Sequence, residues 1–157
     1  MAPSSQKILS AIALIWAVGL GAPAGAAAQD DDPPPAIAYR QSLMQGFRMH
    51  AGALRAIFGD DVAYTSHVAL HANTIRDLAM MLSDVFPEGS GGEESGAMDA
   101  VWTNAGDFQE RVADFQSAGA RLAETAASGD MEATQEAFQA FSRGCRGCHS
   151  DYRKPRN

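Results

Sequence analysis

Apolar residues recur at alternating steps of three and four along four stretches of this chain, and this periodicity limits the folds open to it. Each series marks one stripe on one face of a helix. The clearest is Val101, Ala105, Phe108, Val112, Phe115, Gly119, Leu122 and Ala126. The other three are Ile37, Arg40, Met44, Phe47, Ala51, Leu54 and Phe58; Tyr64, Val68, His71, Ile75, Leu78, Leu82 and Val85; and Thr134, Phe138, Phe141, Cys145, Cys148 and Tyr152. Such stripes are typical of the seam of a left-handed helical bundle.

Glycine and proline clusters separate the four stretches and predict where each helix ends. We expect helices over residues 36–58, 62–86, 98–127 and 130–152, with Asp130 as the N-cap of the last and a loop over 87–97. An all-β fold is disfavoured because only 8% of residues are aromatic and long Val/Ile/Thr alternations are missing. The prediction is an all-α, antiparallel four-helix bundle over residues 36–157.

Residues 1–28 have the composition of a secretory signal peptide. Lys7 supplies a positive charge, residues 8–20 are apolar, and residues 26–28 are alanines suited to cleavage. The alternative is a membrane anchor, but this apolar run rises only about 20 Å as a helix, short of a bilayer core of roughly 30 Å. We therefore expect an exported, periplasmic protein that is not embedded in a membrane, with a polar lead-in over residues 29–35. The net charge of −7 argues against nucleic acid as a partner.

Cys145-Arg146-Gly147-Cys148-His149 is a C-x-x-C-H sequence, the attachment motif of c-type haem. Cysteines three apart lie on one helix face, so both sulfurs can reach one haem edge while the following histidine approaches the iron. Gly144 and Gly147 leave the backbone bare where the macrocycle would lie. Because both cysteines are on the seam, we expect one haem c per chain, inside the bundle.

Two other readings of the cysteines are weaker. A thioredoxin-like pair needs its cysteines at a helix N-terminus within a β-α-β unit, whereas these lie near a helix C-terminus. A zinc site needs a second Cys/His pair at ligand spacing, and the sequence has none.

With its signal peptide, bundle and single C-x-x-C-H, the chain resembles the class II cytochromes c, the cytochrome c prime family. Further matching residues are Tyr39, Arg40 and Gln41; Val101, Trp102 and Phe108; and Asp151, Tyr152 and Arg153. The resemblance implies the following roles: Cys145 and Cys148 as thioethers, His149 as proximal iron ligand, Arg40 facing a propionate, Met44 on the distal side, and Arg153 near the proximal histidine.

Arg40 and Met44 also stand out without the resemblance. A lone charge at a seam position is costly without a partner, which a propionate would supply; alternatively Arg40 extends to water at the bundle end. Met44 lies one turn further along the same face, and its alternative role is to fill a gap in the core.

The resemblance leaves two mechanisms open. In some relatives the matching methionine binds iron and the protein is a low-spin electron carrier. In others it covers an open position that admits nitric oxide or carbon monoxide. Residues 86–90 are more similar to the low-spin branch. We therefore predict single-electron transfer between redox partner proteins, with Met44 as sixth ligand and no enzymatic activity, and keep gas binding as the alternative.

The remaining candidates carry less chemistry. His67 and His71 are four residues apart and could share a metal, although such pairs are more often structural; His50 is off the seam and expected in solvent. Arg146, Arg153, Lys154 and Arg156 form a basic patch that could steer an acidic partner or offset the helix dipole. Relatives often dimerise through their first two helices, and Leu43, Ile57 and Met81 could supply such a face here, which leaves a homodimer open.

Overall fold

The structure is a computed structural model that describes residues 34–155. Its four long helices are α1 (Pro35–Phe58), α2 (Val68–Met80), α4 (Ala105–Ser128) and α5 (Met131–Tyr152), with a one-turn α3 (Ala100–Thr103) before α4. The predicted all-α four-helix bundle is confirmed. The predicted signal peptide, and the lead-in as far as residue 33, lie outside the described residues. None of the helices between residues 34 and 155 is long and apolar enough to cross a bilayer.

Helix ends with strong local signals lie where the sequence predicts them. Asp130 caps α5, its side chain accepting a hydrogen bond from the backbone N–H of Ala133 at 3.0 Å. Gly129 ends α4 in the left-handed conformation, with φ of 78°. α1 begins one residue earlier than predicted because Pro35 occupies its first turn, where a missing N–H costs nothing.

Two predicted helices are longer than those observed. α2 covers residues 68–80 rather than 62–86, with 3₁₀ turns on either side at Thr65–His67 and Met81–Ser83. Tyr64 is 60% exposed, so its assignment to the seam is wrong. Asn104 leaves helical geometry (φ −120°, ψ 46°) and divides the predicted 98–127 helix into α3 and α4. Asn104 is the N-cap residue of α4, but its side chain makes no capping hydrogen bond and instead donates to the Tyr152 hydroxyl at 3.5 Å.

The bundle core lies between α1, α2, α4 and α5, with Leu54, Ile75, Leu122 and Phe141 fully buried. The backbones of α1 and α2, of α2 and α4, and of α4 and α5 pack closely. In the described part of the chain, α1 and α5 instead meet mainly through aromatic side chains. The ring centroids of Phe58 and Phe138 are 5.5 Å apart. The α1–α5 side is therefore the more open side of the bundle.

The segment between α2 and α3 crosses the end of the bundle where α5 finishes. Residues 87–97 lack helix, as predicted, and the residues that follow Ser95 are tied to the end of α5. The N–H of Met98 donates to Tyr152 O, and the N–H of Lys154 donates to Gly96 O, both at 2.9 Å. These bonds flank an antiparallel bridge between Ala97 and Arg153. We call this pairing of residues 96–98 with 152–154 the clasp.

Candidate haem-attachment site

Cys145 and Cys148 lie one turn apart on the same face of α5, half-buried against the hydrophobic core. Both are free thiols. Burial raises the pKa of Cys145 to about 11 and also raises the pKa of Cys148. A thiol of this kind is protonated at neutral pH and is a poor nucleophile for disulfide exchange. The burial of the two thiols therefore disfavours the thiol-disulfide alternative.

His149 follows in the last turn of α5 and lies on the surface. A Cβ added at Gly147 would meet no atom within 4 Å, so the backbone there faces open space. A Cβ at Gly144 would come within 3.2 Å of the Phe115 ring, so packing on Phe115 by itself accounts for that glycine. The two glycines thus serve different purposes.

These residues fit a covalently attached haem. Two unpaired thiols share one helix face, a histidine follows directly, and the backbone between the cysteines is bare. The cysteines also border the side of the bundle on which α1 and α5 meet mainly through aromatic side chains. The chain thus provides the donor set and an apolar setting for the macrocycle.

Met44 lies on α1 at the same end of the bundle, half-buried against the same core as the two cysteines. One turn further along α1, the Phe47 ring packs edge-on against Phe115 at 5.4 Å and tilted against Phe141 at 6.4 Å. The structure therefore brings the predicted distal residue and the predicted attachment residues to one end of the molecule, on facing helices.

Arg40 is 4% exposed, so the alternative in which it extends to water is wrong. Its guanidinium donates to Val85 O and Ser90 Oγ at 2.9 Å, and to Ser90 O and Ser95 Oγ at 2.8 Å. Its charged carbon is 4.8 Å from the centre of the Phe86 ring. The seam position indicated that Arg40 needs a partner, but nothing in the sequence marked Ser90 and Ser95 as that partner, because loop residues carry no periodicity.

A polar network at the end of α5 was not predicted. The Tyr152 hydroxyl donates to the Asp107 carboxylate, which raises the pKa of Tyr152 to about 12. Arg111 reaches Asp107 at 3.9 Å and Asp151 at 3.7 Å. Arg153, half-buried, follows in the clasp. The network joins the first turns of α4 to the last turn of α5.

Trp102 packs against the hydrophobic core and also holds the loop. Its indole N–H donates to the carbonyls of Phe86 and Pro87 at 3.2 and 3.1 Å.

Two expectations about surface residues are wrong. His50 is half-buried, with its Nδ1 2.9 Å from Nδ1 of His71, whereas His67 is exposed and stacks on Tyr64. Leu43 and Ile57 are each 6% exposed and pack inside the chain, so they cannot form a dimer face. Both errors concern which way a helix faces its neighbour, and stripes on separate helices do not fix this.

Comparisons with known proteins agree with this geometry. The family model described as Cytochrome C' matches residues 35–153. Cytochrome c-554 from Cereibacter sphaeroides is 32% identical over 120 residues, covering 73% of this chain and 90% of that protein. Cytochrome c prime from Shewanella frigidimarina superposes with a TM-score of 0.74 at 26% identity, covering 80% of this chain and 98% of that one.

A nitrosyl complex of a variant of cytochrome c prime from Alcaligenes xylosoxidans also superposes, with a TM-score of 0.72 at 25% identity over 79% of this chain and 98% of that one. The resemblance found in the sequence is confirmed. Proteins of this family bind haem c covalently, one per chain. The chain belongs to the cytochrome c' family and is a haem c protein.

Proposed function

We propose that the protein carries single electrons between redox partner proteins in the periplasm, with a haem that Cys145 and Cys148 would hold covalently and whose iron His149 and Met44 would bind. The haem iron supplies the one-electron chemistry when bound. One observation carries the choice of ligand: Met44 is a half-buried thioether at the end of the bundle where the cysteines lie, on the helix that faces them across the more open side.

Contacts on either side of Met44 restrain the part of α1 that carries it. One turn before it, Arg40 fixes the helix to residues 85–95 through four hydrogen bonds. One turn after it, Phe47 is wedged between Phe115 and Phe141. A ligand on an anchored helix loses little freedom on binding iron. Thioether ligation also raises the reduction potential and disfavours added ligands, which suits an electron carrier.

The proximal side depends on the last turn of α5. The Tyr152 hydrogen bond to Asp107 and the clasp both restrain that turn. In this proposal the restrained turn keeps His149 next to the thioether of Cys148. In the same proposal Arg40 offers positive charge to a propionate while holding the loop, and Arg153, in the clasp directly after α5, is the basic residue on the proximal side.

The periplasmic location rests on the signal-peptide composition of residues 1–28. Export also suits a protein whose cysteines are used for a covalent cofactor.

Gas binding is the second candidate, and a specific observation favours it. A similar solved structure is a nitrosyl complex of a cytochrome c prime variant. In that case Met44 would cover the distal position without binding the iron. Nitric oxide or carbon monoxide would then bind there without displacing an iron ligand.

The optical spectrum of the purified holoprotein, oxidised and reduced, before and after carbon monoxide, separates the two. Electron transfer with Met44 ligation predicts a low-spin spectrum with a methionine–iron charge-transfer band that carbon monoxide does not change. The band should disappear in Met44→Ala. It should remain in Met49→Ala, the matched control, because Met49 is 66% exposed on the same helix. A high-spin spectrum that shifts readily with carbon monoxide would overturn ligation by Met44 and favour gas binding.

A further inference from the structure

A pair of histidines lies between α1 and α2, away from the haem-attachment site. We propose that His50 and His71 form a binding site for one divalent copper ion, each contributing its Nδ1 atom. These two atoms are 2.9 Å apart and the ring centroids are 5.2 Å apart. His50 is six residues beyond Met44, which places it about 9 Å further along α1.

The separation of the two nitrogens selects the geometry of the ion. A metal–imidazole bond is about 2.0 Å long, so donors 2.9 Å apart subtend an angle of about 90° at a shared ion. That is the angle between neighbouring ligands of a square-planar or tetragonal ion, the preference of divalent copper and nickel. Tetrahedral zinc would need donors roughly 3.3 Å apart. Nitrogen donors also bind copper more tightly than nickel or zinc, so copper is the expected occupant.

The protonation of the pair also favours a metal. At 2.9 Å the two Nδ1 atoms share one proton in an N–H···N hydrogen bond, so one imidazole donates and the other accepts. When the ion binds both Nδ1 atoms, it replaces this hydrogen bond, and the donor ring changes tautomer by moving its proton to Nε2 through water. Neutral imidazole is the form that binds metal. The helices that carry the pair pack closely together, so the two donors are already in place.

His67 is not a member of the site. It is exposed at the end of a 3₁₀ turn, its ring stacks on Tyr64 at 5.3 Å, and its centroid is 6.5 Å from that of His71. Over residues 34–155, no three His, Cys, Asp or Glu side chains are arranged to hold a metal together. The remaining positions on the copper ion are therefore taken by water.

The test is a titration of Cu²⁺ into the oxidised, tag-free holoprotein near pH 7, followed by calorimetry and by electron paramagnetic resonance. We expect one ion per chain and hyperfine coupling to two imidazole nitrogens. His50→Gln and His71→Gln should each weaken binding by about tenfold or more. The matched control His67→Gln should change it by no more than about twofold, and Zn²⁺ should bind more weakly than Cu²⁺ to the unmodified protein.

Several outcomes would overturn the proposal. Equal copper affinity in the unmodified protein and His50→Gln would do so, as would a loss of binding in His67→Gln alone. Each variant is first compared with the unmodified protein by its haem spectrum and thermal unfolding, without copper. Should a glutamine variant fail to fold, the resonance spectrum of the unmodified protein still decides, because a copper signal without coupling to two nitrogens contradicts the site.

Discussion

Arg40 combines four hydrogen bonds and a ring contact in one buried side chain. Its acceptors are neutral carbonyl and hydroxyl groups of residues 85–95. Burial lowers the pKa of Arg40, but arginine remains charged at any pH at which the protein folds. The charge is therefore stabilised by hydrogen bonding to the loop, and the loop in turn depends on Arg40 for its order.

Replacing Arg40 with methionine should destabilise the fold strongly. The substitution keeps an unbranched apolar side chain but removes the Arg40 donors from Val85 O and Ser90 O. We expect a loss of about 2–4 kcal/mol in the free energy of unfolding, measured by urea denaturation of the holoprotein. Arg48→Met, on the exposed face of the same helix, should change it by no more than about 0.5 kcal/mol. Similar losses in the two variants would contradict the role assigned to Arg40.

Tyr152 makes stability depend on pH in the alkaline range. Its hydrogen bond to Asp107, together with burial, raises its pKa in the folded state to about 12, against 10.0 ordinarily. Above about pH 10 the unfolded chain loses this proton first, so rising pH favours unfolding. The contribution is complete below about pH 10 and is lost as pH rises towards about 12.

Denaturation midpoints measured between pH 8 and 12 should therefore fall less steeply in Tyr152→Phe than in the unmodified protein. Tyr39→Phe, which changes a phenol that is 57% exposed, should keep the unmodified pH dependence. The same fall of the denaturation midpoint with pH in all three proteins would rule out the coupling between Tyr152 and Asp107.

At the scale of elements, two glycines of the α4 region test opposite effects of the same substitution. Gly129 ends the helix with φ of 78°, where a Cβ is strained, whereas Gly106 lies inside the first turn with open space around it. Gly129→Ala should destabilise by about 1–2 kcal/mol. Gly106→Ala should stabilise by up to about 1 kcal/mol because the unfolded chain loses freedom. Thermal unfolding of the two variants measures both, and shifts of the same sign would contradict the argument.

The ends of the helices were predictable where the buried stripe stops at a residue type that favours a helix end. Gly129 and Asp130 fixed the junction of α4 and α5, and most seam positions are buried. The C-terminal end of α2 was predicted wrongly because burial continues beyond the helix. Val85 is 7% exposed although it lies after the helix, so the stripe suggested more helix than exists.

The contacts between helices could not be predicted. The partners of Arg40 and the pairing of His50 with His71 depend on how one helix is rotated against the next. A stripe broad enough to define a buried face leaves that rotation open. The attachment motif was predictable because its chemistry lies within five consecutive residues, 145–149.

The whole molecule has an uneven charge distribution. The net charge is −7, yet Arg55, Arg143 and Arg146 line a surface pocket of about 280 Å³ beside the cysteine-bearing face of α5. Local positive charge in an acidic protein concentrates anions near that face. An acidic redox partner would thus be attracted to the cysteine-bearing face of α5, which agrees with the proposed electron transfer.

Charge reversal at Arg146 should slow electron exchange with an anionic reagent. We expect Arg146→Glu to lower the rate of oxidation by ferricyanide several-fold at low ionic strength, and the difference should shrink as salt screens the charges. Arg121→Glu makes the same change in net charge at a more distant position. Arg121 lies about 24 Å along α4 from the first residue of that helix, which is the end next to the last turn of α5, so the effect should be smaller. The oxidation rates are measured in a stopped-flow spectrometer. Equal slowing in the two variants would mean that only the net charge of the protein matters.

The clasp constrains the order of steps in the folding of this molecule. It joins residues about 55 apart in the chain, and a loop of that length is entropically costly to close before α4 and α5 have paired as a hairpin. Pairing of the two helices brings residues 96–98 and 152–154 together, so the clasp forms late in folding. Until then the last turn of α5 is unrestrained and both thiols are accessible, which gives the haem an interval in which to become attached before the end of the bundle closes.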